Sequence, residues 1–156
     1  MLTKSKWSVF FHDYEDPNWN HESYEKLASI TTVVEFWTIF EILKPKLQSG
    51  MFFLMKDPLF PRWDADSDIQ PYSFMSIKVL KTKVESFAEH IFTRLFAECL
   101  HTSHPEVVKG VSVSPKKHFC IFKIWLHEQN YETVVRDEKL YDIPRTYHGS
   151  LIYRQS

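Results

Sequence analysis

Glycine is scarce in this chain, with 3 residues among 156. The glycine-rich loops that wrap phosphates in P-loop and dinucleotide-binding proteins are therefore absent. The sequence also contains no GxSxG nucleophile elbow and no HExxH zinc motif. These absences argue against an enzyme, and we expect neither catalytic residues nor a cofactor.

Cysteine is equally rare, and no group of residues predicts a metal site. Cys99 and Cys120 lie far apart and form no CxxC pair, which argues against a disulfide framework or a zinc ribbon and favours a reducing compartment. His101 and His104 are interpreted as solvated residues at a helix end, because a proline follows and no third ligand is nearby. The aspartates of 64–68 resemble the start of a calcium loop, but its glycine and its final glutamate are missing.

Long apolar runs and an excess of one charge are also lacking. No stretch approaches the ~18 apolar residues of a membrane span, and the N-terminal apolar run is too short for a signal peptide. The 19 Lys and Arg residues balance 20 Asp and Glu residues, so the chain has no uniformly basic surface for long nucleic acid. With 156 residues, 44% of them hydrophobic, the chain is predicted to form one globular domain over 1–156. The unpaired cysteines and the short apolar runs predict a cytoplasmic protein that binds no membrane.

Alternating and helical apolar patterns predict an α+β fold. Capping boxes at Thr32 with Glu35 and at Thr82 with Glu85 predict the starts of two helices, and residues 13–25 are predicted to form a loop. The second helix is predicted to carry an apolar stripe of Val84, Phe87, Ile91, Leu95 and Cys99. We predict strands at 7–12, 51–55, 72–80, 107–113, 119–127 and 151–153, and a further short helix at 131–140. Turns or single helices join most of these strands, which favours a largely antiparallel sheet with helices packed on one face.

Two tryptophans, Trp19 and Trp63, stand in polar, proline-containing loops, where a large apolar ring gains little unless something covers it. Each could fold back over the core as a lid, or the two could hold a flat ligand between them. Asp64, an acceptor-only carboxylate, follows Trp63, and the turn SPKKH offers two adjacent ammonium groups, Lys116 and Lys117. This set of residues suits a base that carries phosphates.

Several segments and five Trp positions share the order and spacing of one known family: WSVFF, DPNW, TVVEFW, FFLMKDPLFPRWD, GVSV, IWL and LIYRQS. Over nearly the whole chain, the sequence resembles the translation initiation factor 4E family, which recognises the 7-methylguanosine cap of mRNA. The resemblance implies a curved antiparallel sheet with helices on its convex face. It places the ligand site on the concave face.

The resemblance also assigns roles to residues of the base site. It implies that Trp19 and Trp63 stack on the two faces of the methylated guanine, whose positive charge adds a cation–π contribution. Asp64, where the family usually has Glu, would accept the guanine N1–H and N2–H, and the backbone N–H of Trp63 would donate to O6. Trp125 would contact the N7-methyl group, although a core position is the alternative interpretation for this strand residue.

The phosphate site departs from the family pattern, in which arginines and lysines occupy the strand and turn corresponding to VSVSPKKH and the strand after the Trp63 loop. No basic residue occurs in 70–76. Ser114 stands where an arginine is expected. The triphosphate is therefore expected to rely on Lys116, Lys117 and Lys123, the last of which shares a strand face with Trp125. An ordinary solvated hairpin turn is the alternative interpretation for the lysine pair.

The family's dorsal face binds a helix from a scaffold initiation factor or a repressor. The resemblance implies such contacts at Val33, Trp37, Phe92 and Phe96, although all four could be core residues. We expect a monomer that binds capped mRNA and this helical motif in cap-dependent translation initiation. Because basic residues are missing, a repressor or decoy that holds the cap or the scaffold without supporting translation is the alternative. A cap-independent interaction module with inward-packed loop tryptophans is a third hypothesis.

Overall fold

A computed structural model describes residues 1–61, 73–127 and 132–155. Its strands are β1 (Leu2–His12), β2 (Tyr24–Thr32), β3 (Met51–Lys56), β4 (Ser73–Leu80), β5 (Val108–Pro115), β6 (Phe119–Leu126) and β7 (Ile152–Gln155). They form one antiparallel sheet in the order β2-β1-β3-β5-β6-β4-β7. Its helices are α1 (Val33–Leu43), α2 (Val84–Phe96) and α3 (Glu132–Arg136). The predicted α+β class with a curved, antiparallel sheet is confirmed.

Helix α1 begins where its capping residues predict. The Thr32 hydroxyl accepts the Glu35 backbone N–H at 3.1 Å. In return, the Glu35 carboxylate accepts the backbone N–H and the hydroxyl of Thr31 at 3.0 and 2.9 Å. The backbone hydrogen bond from Thr31 is the main reason why the pKa of Glu35 is lowered. These bonds satisfy donors at the helix start, and α1 then buries Phe36 and Phe40, whose rings contact Phe96 and Phe92 of α2.

Helix α2 differs from the prediction at both ends. A 3₁₀ turn at Lys81–Lys83 precedes it, and its N-cap residue Lys83 makes no side-chain capping bond, so the capping box predicted at Thr82 is wrong. The helix ends at Phe96, and Glu98 then adopts the left-handed conformation with φ of 54°. Cys99 consequently lies beyond the helix and is exposed instead of extending its apolar stripe. The rest of the predicted stripe is buried: Val84, Phe87, Ile91 and Leu95.

Strand β2 was not predicted, because the sequence there lacks a clear apolar alternation. It lies at the edge of the sheet and pairs with β1 alone. Along its length Ile30 is the one buried residue. An edge strand with so little burial leaves only a weak hydrophobic period in the sequence.

Two apolar clusters lie on opposite faces of the sheet. The larger fills the space between the sheet and the helices. None of the described helices has the length and hydropathy needed to span a bilayer. The smaller cluster contains Phe10, Phe53, Met55, Phe74 and Trp125 on the other face. Gly110 lies between Met55 and Trp125, and a Cβ there would lie 2.5 Å from the Leu54 carbonyl oxygen, so this crossing requires glycine.

Candidate functional site

The sheet face turned away from the helices, here named the front face, is built from alternate residues of six strands. Strand register aligns these residues into rows that cross the sheet. One row contains Ser8, Met55, Gly110, Trp125, Phe74 and Arg154, and the next contains Phe10, Phe53, Ser112, Lys123, Ser76 and Ile152. Aromatic rings and cations therefore share one surface.

Trp19 lies at one end of this face, stacked on the last residue of β1. Its indole and the imidazole of His12 have centroids 3.7 Å apart and planes inclined by 1°. The indole is 39% exposed, whereas His12 is completely buried. Trp19 is therefore a ring laid flat on a buried support and not a core residue.

His12 also fixes the backbone that carries Trp19. Its Nε2 lies 2.6 Å from the carbonyl oxygen of Asn18, so Nε2 donates the hydrogen bond. Its Nδ1 is buried with no hydrogen-bond partner among the described residues. Sequence reasoning missed His12. The available signal was its alternation with Phe10, which places both on the same strand face.

Trp63 and Asp64 lie outside the described residues. The described segment before them ends at Pro61, whose carbonyl oxygen accepts a hydrogen bond from the Tyr24 hydroxyl at 3.1 Å. The Tyr24 ring lies edge-on to His12 and to Trp19, with centroid distances of 5.1 and 6.1 Å. The described chain thus ends next to the residues that hold Trp19.

Trp125 lies on the front face and is fully buried. Its ring meets Phe74 and Phe53 edge-on at 4.8 and 6.2 Å, and its Nε1 donates to the Ser112 hydroxyl at 2.9 Å. The indole is held rigidly by these contacts.

Lys123 lies next to Trp125 on the same face of β6, as the strand period predicts. It lines a 500 Å³ cavity with two cations that sequence reasoning missed, Lys78 on β4 and Arg154 on β7. Burial lowers the pKa of Lys123, and the positive charges of Lys116 and Arg154 lower it further. Like charges collected around a partly buried ammonium group favour an anion as the ligand of this cavity.

Lys116 and Lys117 are exposed in the turn between β5 and β6. The turn is closed by a hydrogen bond from the Lys116 backbone N–H to the Phe119 carbonyl oxygen at 2.8 Å. Both lysines line a second cavity, of 360 Å³, at this end of the sheet. They therefore lie beyond the front-face cavity, with Lys116 close enough to affect Lys123.

On the helical side, an apolar cavity of 370 Å³ lies between α1, α2 and the start of β1. We name it the dorsal groove, and its lining includes Val33, Phe36, Trp37, Thr93, Phe96 and Ala97. Trp37 is 39% exposed. Phe92, in contrast, is 1% exposed and packs against Phe40 and Phe122 in the core, so it does not line the groove. Thr93 and Ala97, which sequence reasoning missed, take its place.

His101 contradicts the prediction of a solvated histidine, because its side chain is completely buried. Its Nδ1 accepts the backbone N–H groups of Ser103 and His104 at 3.3 and 2.9 Å. Burial is the main cause that lowers its pKa. No group of three or more potential metal ligands occurs in the part of the chain that the structure describes.

Aromatic rings and cations on one face of a curved antiparallel sheet are the features of a ligand-binding protein. The chain belongs to the eukaryotic initiation factor 4E family, whose model matches residues 2–151. This membership confirms the resemblance found in the sequence.

Three of the solved structures with a similar fold come from worms. Caenorhabditis elegans eIF4E-3, in complex with the 4E-binding protein Mextli and a cap analog, is 16% identical with a TM-score of 0.77, over 98% of this chain and 91% of that chain. Ascaris suum eIF4E-3 with an m7G cap is 14% identical with a TM-score of 0.74, over 98% and 89%. A schistosome eIF4E with m7GpppA and 4E-BP is 17% identical with a TM-score of 0.73, over 86% and 75%. No curated protein sequence gives a significant match.

Proposed function

We propose that this protein binds the 7-methylguanosine end of capped mRNA and that the methylated base stacks on Trp19. The observation that carries the proposal is the parallel stack of Trp19 on buried His12, which presents a flat, partly exposed indole at the end of the front face. An indole held in this way loses little conformational freedom when a base binds. Family membership supports the same ligand.

The rest of the base site follows from the chain segment that begins after Pro61. Trp63 would cover the second face of the base, and Asp64 would accept the guanine N1–H and N2–H. Methylation at N7 makes guanine cationic, so two electron-rich indoles bind it more tightly than unmethylated guanine. Trp125 would contact the N7-methyl group. Because its ring is fully buried, this contact requires the aromatic cluster to open beside it.

The triphosphate would lie along the front face towards the end of the sheet. Lys123 forms the centre of this phosphate site, with Lys116 and Lys117 at its outer end. Lys78 and Arg154 would supply the charge that Ser114 does not, because both line the cavity around Lys123. The site would thus keep a cation on β4, the strand after the Trp63 loop, and gain Arg154 on β7, whereas Ser114 on β5 contributes no charge.

The dorsal groove would bind the helical motif of a scaffold initiation factor or a repressor. Val33, Trp37 and Phe96 offer an apolar surface of the kind that takes the hydrophobic face of an amphipathic helix. Phe92 would support this surface from the core and not contact the partner. Titrating a scaffold-derived helical peptide against the wild-type protein and Trp37→Ala tests this assignment, and equal affinities would contradict it.

We further propose that the protein is a single-domain monomer over 1–156 that acts in cap-dependent translation initiation in the cytoplasm. The alternative is a repressor or decoy that holds the cap or the scaffold without supporting translation, and it would apply if Lys78 and Arg154 do not replace the charge that is missing at Ser114. Retention on cap resin, with and without a scaffold peptide, separates the two roles. A productive factor holds both ligands at once, whereas binding of one ligand that excludes the other favours the repressor.

The ligand itself is tested by titrating intrinsic tryptophan fluorescence with 7-methylguanosine triphosphate and with GTP. We expect saturable quenching by the methylated nucleotide and much weaker binding of GTP, because only the former is cationic at the base. Equal affinity for the two nucleotides, or no quenching at saturating concentration, would contradict the proposal. The cap-independent interaction module would then be the better account.

A further inference from the structure

Four connections meet at one end of the sheet and enclose a basic groove. They are the β1–β2 loop, the segment before β3, the turn after β4 and the β5–β6 turn. The groove has a volume of 360 Å³, and we name it the lysine groove after its lining residues Tyr14, Gln48, Ser49, Lys81, Pro115, Lys116 and Lys117. None of these lining residues is acidic.

Tyr14 gives this groove an aromatic surface. The residue lies in the same loop as Trp19 and is 51% exposed. The ammonium group of Lys116 lies 6.0 Å from the centroid of its ring. A partly exposed aromatic ring next to lysines is the arrangement on which proteins stack the bases of single-stranded nucleic acid.

The lysine groove continues the row of cations on the front face. Lys116 lines the groove, and its positive charge, together with that of Arg154, lowers the pKa of Lys123. The positive surface therefore passes from the front-face cavity over the end of the sheet to Tyr14. A polyanion bound at Lys123 would be led directly to the groove.

The acidic residues of the β1–β2 loop, Asp13, Glu15, Asp16 and Glu22, keep their negative charge but do not line the lysine groove. The Asp13 carboxylate accepts the backbone N–H of Glu15, and the Asp16 carboxylate accepts that of Asn18, at 3.0 and 2.9 Å. These bonds hold both carboxylates to their own loop.

We propose that the lysine groove binds the nucleotides that follow the capped end of an mRNA, with one base on Tyr14 and a phosphate at Lys81, while Lys116 and Lys117 hold the end of the triphosphate where the two sites meet. The direction of the RNA rests on the proposed cap site, whose triphosphate is covalently continuous with these nucleotides. Single-stranded RNA fits the groove better than an acidic peptide does, because RNA supplies both the anion and a flat ring for the tyrosine. A weak site suffices, since the bound cap raises the local concentration of the following nucleotides.

The test compares 7-methylguanosine triphosphate with a capped, unstructured oligoribonucleotide of about five nucleotides, on the full chain at low and moderate salt. We expect the oligonucleotide to bind about fivefold or more tightly than the cap analogue, the scale of one additional base stack. Its affinity should also fall more steeply with salt, because more phosphates are neutralised. Tyr14→Ala and Lys81→Ala should remove the gain and leave the affinity for the cap analogue unchanged.

Tyr14→Phe and Lys139→Ala are the matched controls, since the first keeps the ring and the second removes a lysine outside the groove; both should keep the gain. Equal affinities for the cap analogue and the oligonucleotide would overturn the inference and leave the cap site intact. Loss of cap-analogue binding in Tyr14→Ala would overturn it too. If the wild type binds neither ligand, both proposals fail, whereas Tyr14-dependent binding of uncapped RNA alone would support the groove and refute the cap site. Displacement of an acidic peptide without any binding of RNA would also overturn it.

Discussion

The imidazole of His12 lies parallel to the indole of Trp19, 3.7 Å away, and its Nε2 donates to the carbonyl oxygen of the residue that precedes this tryptophan. One buried side chain therefore sets both the plane of the ring and the path of the loop that carries it. In the proposed complex, His12, Trp19 and the methylated base form three successive layers. His12 acts as a positioning residue, because it reaches the ligand only through the indole.

His12→Ala should weaken binding of 7-methylguanosine triphosphate by about 0.5–1.5 kcal/mol, the value of an aromatic pair, because Trp19 must then be ordered when the ligand binds. His12→Phe keeps a ring beneath the indole and should recover most of the affinity. Isothermal titration of both variants measures the effect, and thermal unfolding identifies any general loss of stability. Equal affinities of the alanine and phenylalanine variants would show that stacking does not matter.

Lys123→Ala and Arg154→Ala should each weaken binding of 7-methylguanosine triphosphate, by about 1.5–3 kcal/mol if each cation makes a charged hydrogen bond. Binding of the 7-methylguanosine nucleoside, which has no phosphate, should change far less. The difference between the two ligands is the readout, and Lys139→Ala outside the cavity is the control. Loss of affinity for both ligands to the same degree would show that these cations do not bind the phosphates.

The buried His101 predicts a pH dependence of stability. Because the folded state lowers its pKa below the ordinary value of 6.5, the unfolded chain binds the extra proton first. The stabilisation that neutral His101 provides is present above the pKa of the unfolded chain, and it is lost as pH falls through the pKa of the folded state. Protonation would also remove the acceptor that Nδ1 offers to two backbone N–H groups.

We therefore expect the free energy of unfolding to fall as pH is lowered below about 6.5. His101→Asn keeps an acceptor that does not titrate, so its unfolding free energy should depend less on pH. Chemical denaturation across this range measures the slope, and His118→Asn, at an exposed turn histidine, is the matched control. A His101→Asn slope equal to that of the wild type would contradict the assignment.

Local sequence signals predicted those parts of the fold that local physics determines. Thr32 and Glu35 announced the start of α1, since a capping box needs only neighbouring residues. Strand β2 lacked such a signal, because an exposed edge strand buries almost nothing. The prediction of where α2 begins was wrong for a different reason. Thr82 lies inside the 3₁₀ turn at Lys81–Lys83, and the first residue of the helix is Val84.

The candidate site was harder to predict because long-range pairing assembles it. Lys78 and Arg154 approach Lys123 because β4 lies between β6 and β7, an order that no local pattern encodes. The contact between His12 and Trp19 likewise requires the loop to fold back over β1. Phe92 was assigned to the dorsal face, but the helical period alone does not tell a core position from a groove position when both are apolar.

The most direct test is the affinity of Trp19→Ala for 7-methylguanosine triphosphate, measured by isothermal titration beside Trp37→Ala. Both variants remove one partly exposed tryptophan, the first at the front face and the second in the dorsal groove. We expect Trp19→Ala to lose about 1–3 kcal/mol of binding free energy, the usual value of one aromatic–base stack, and Trp37→Ala to keep the wild-type affinity. Wild-type affinity in Trp19→Ala, or an equal loss in both variants, would contradict the proposed cap site.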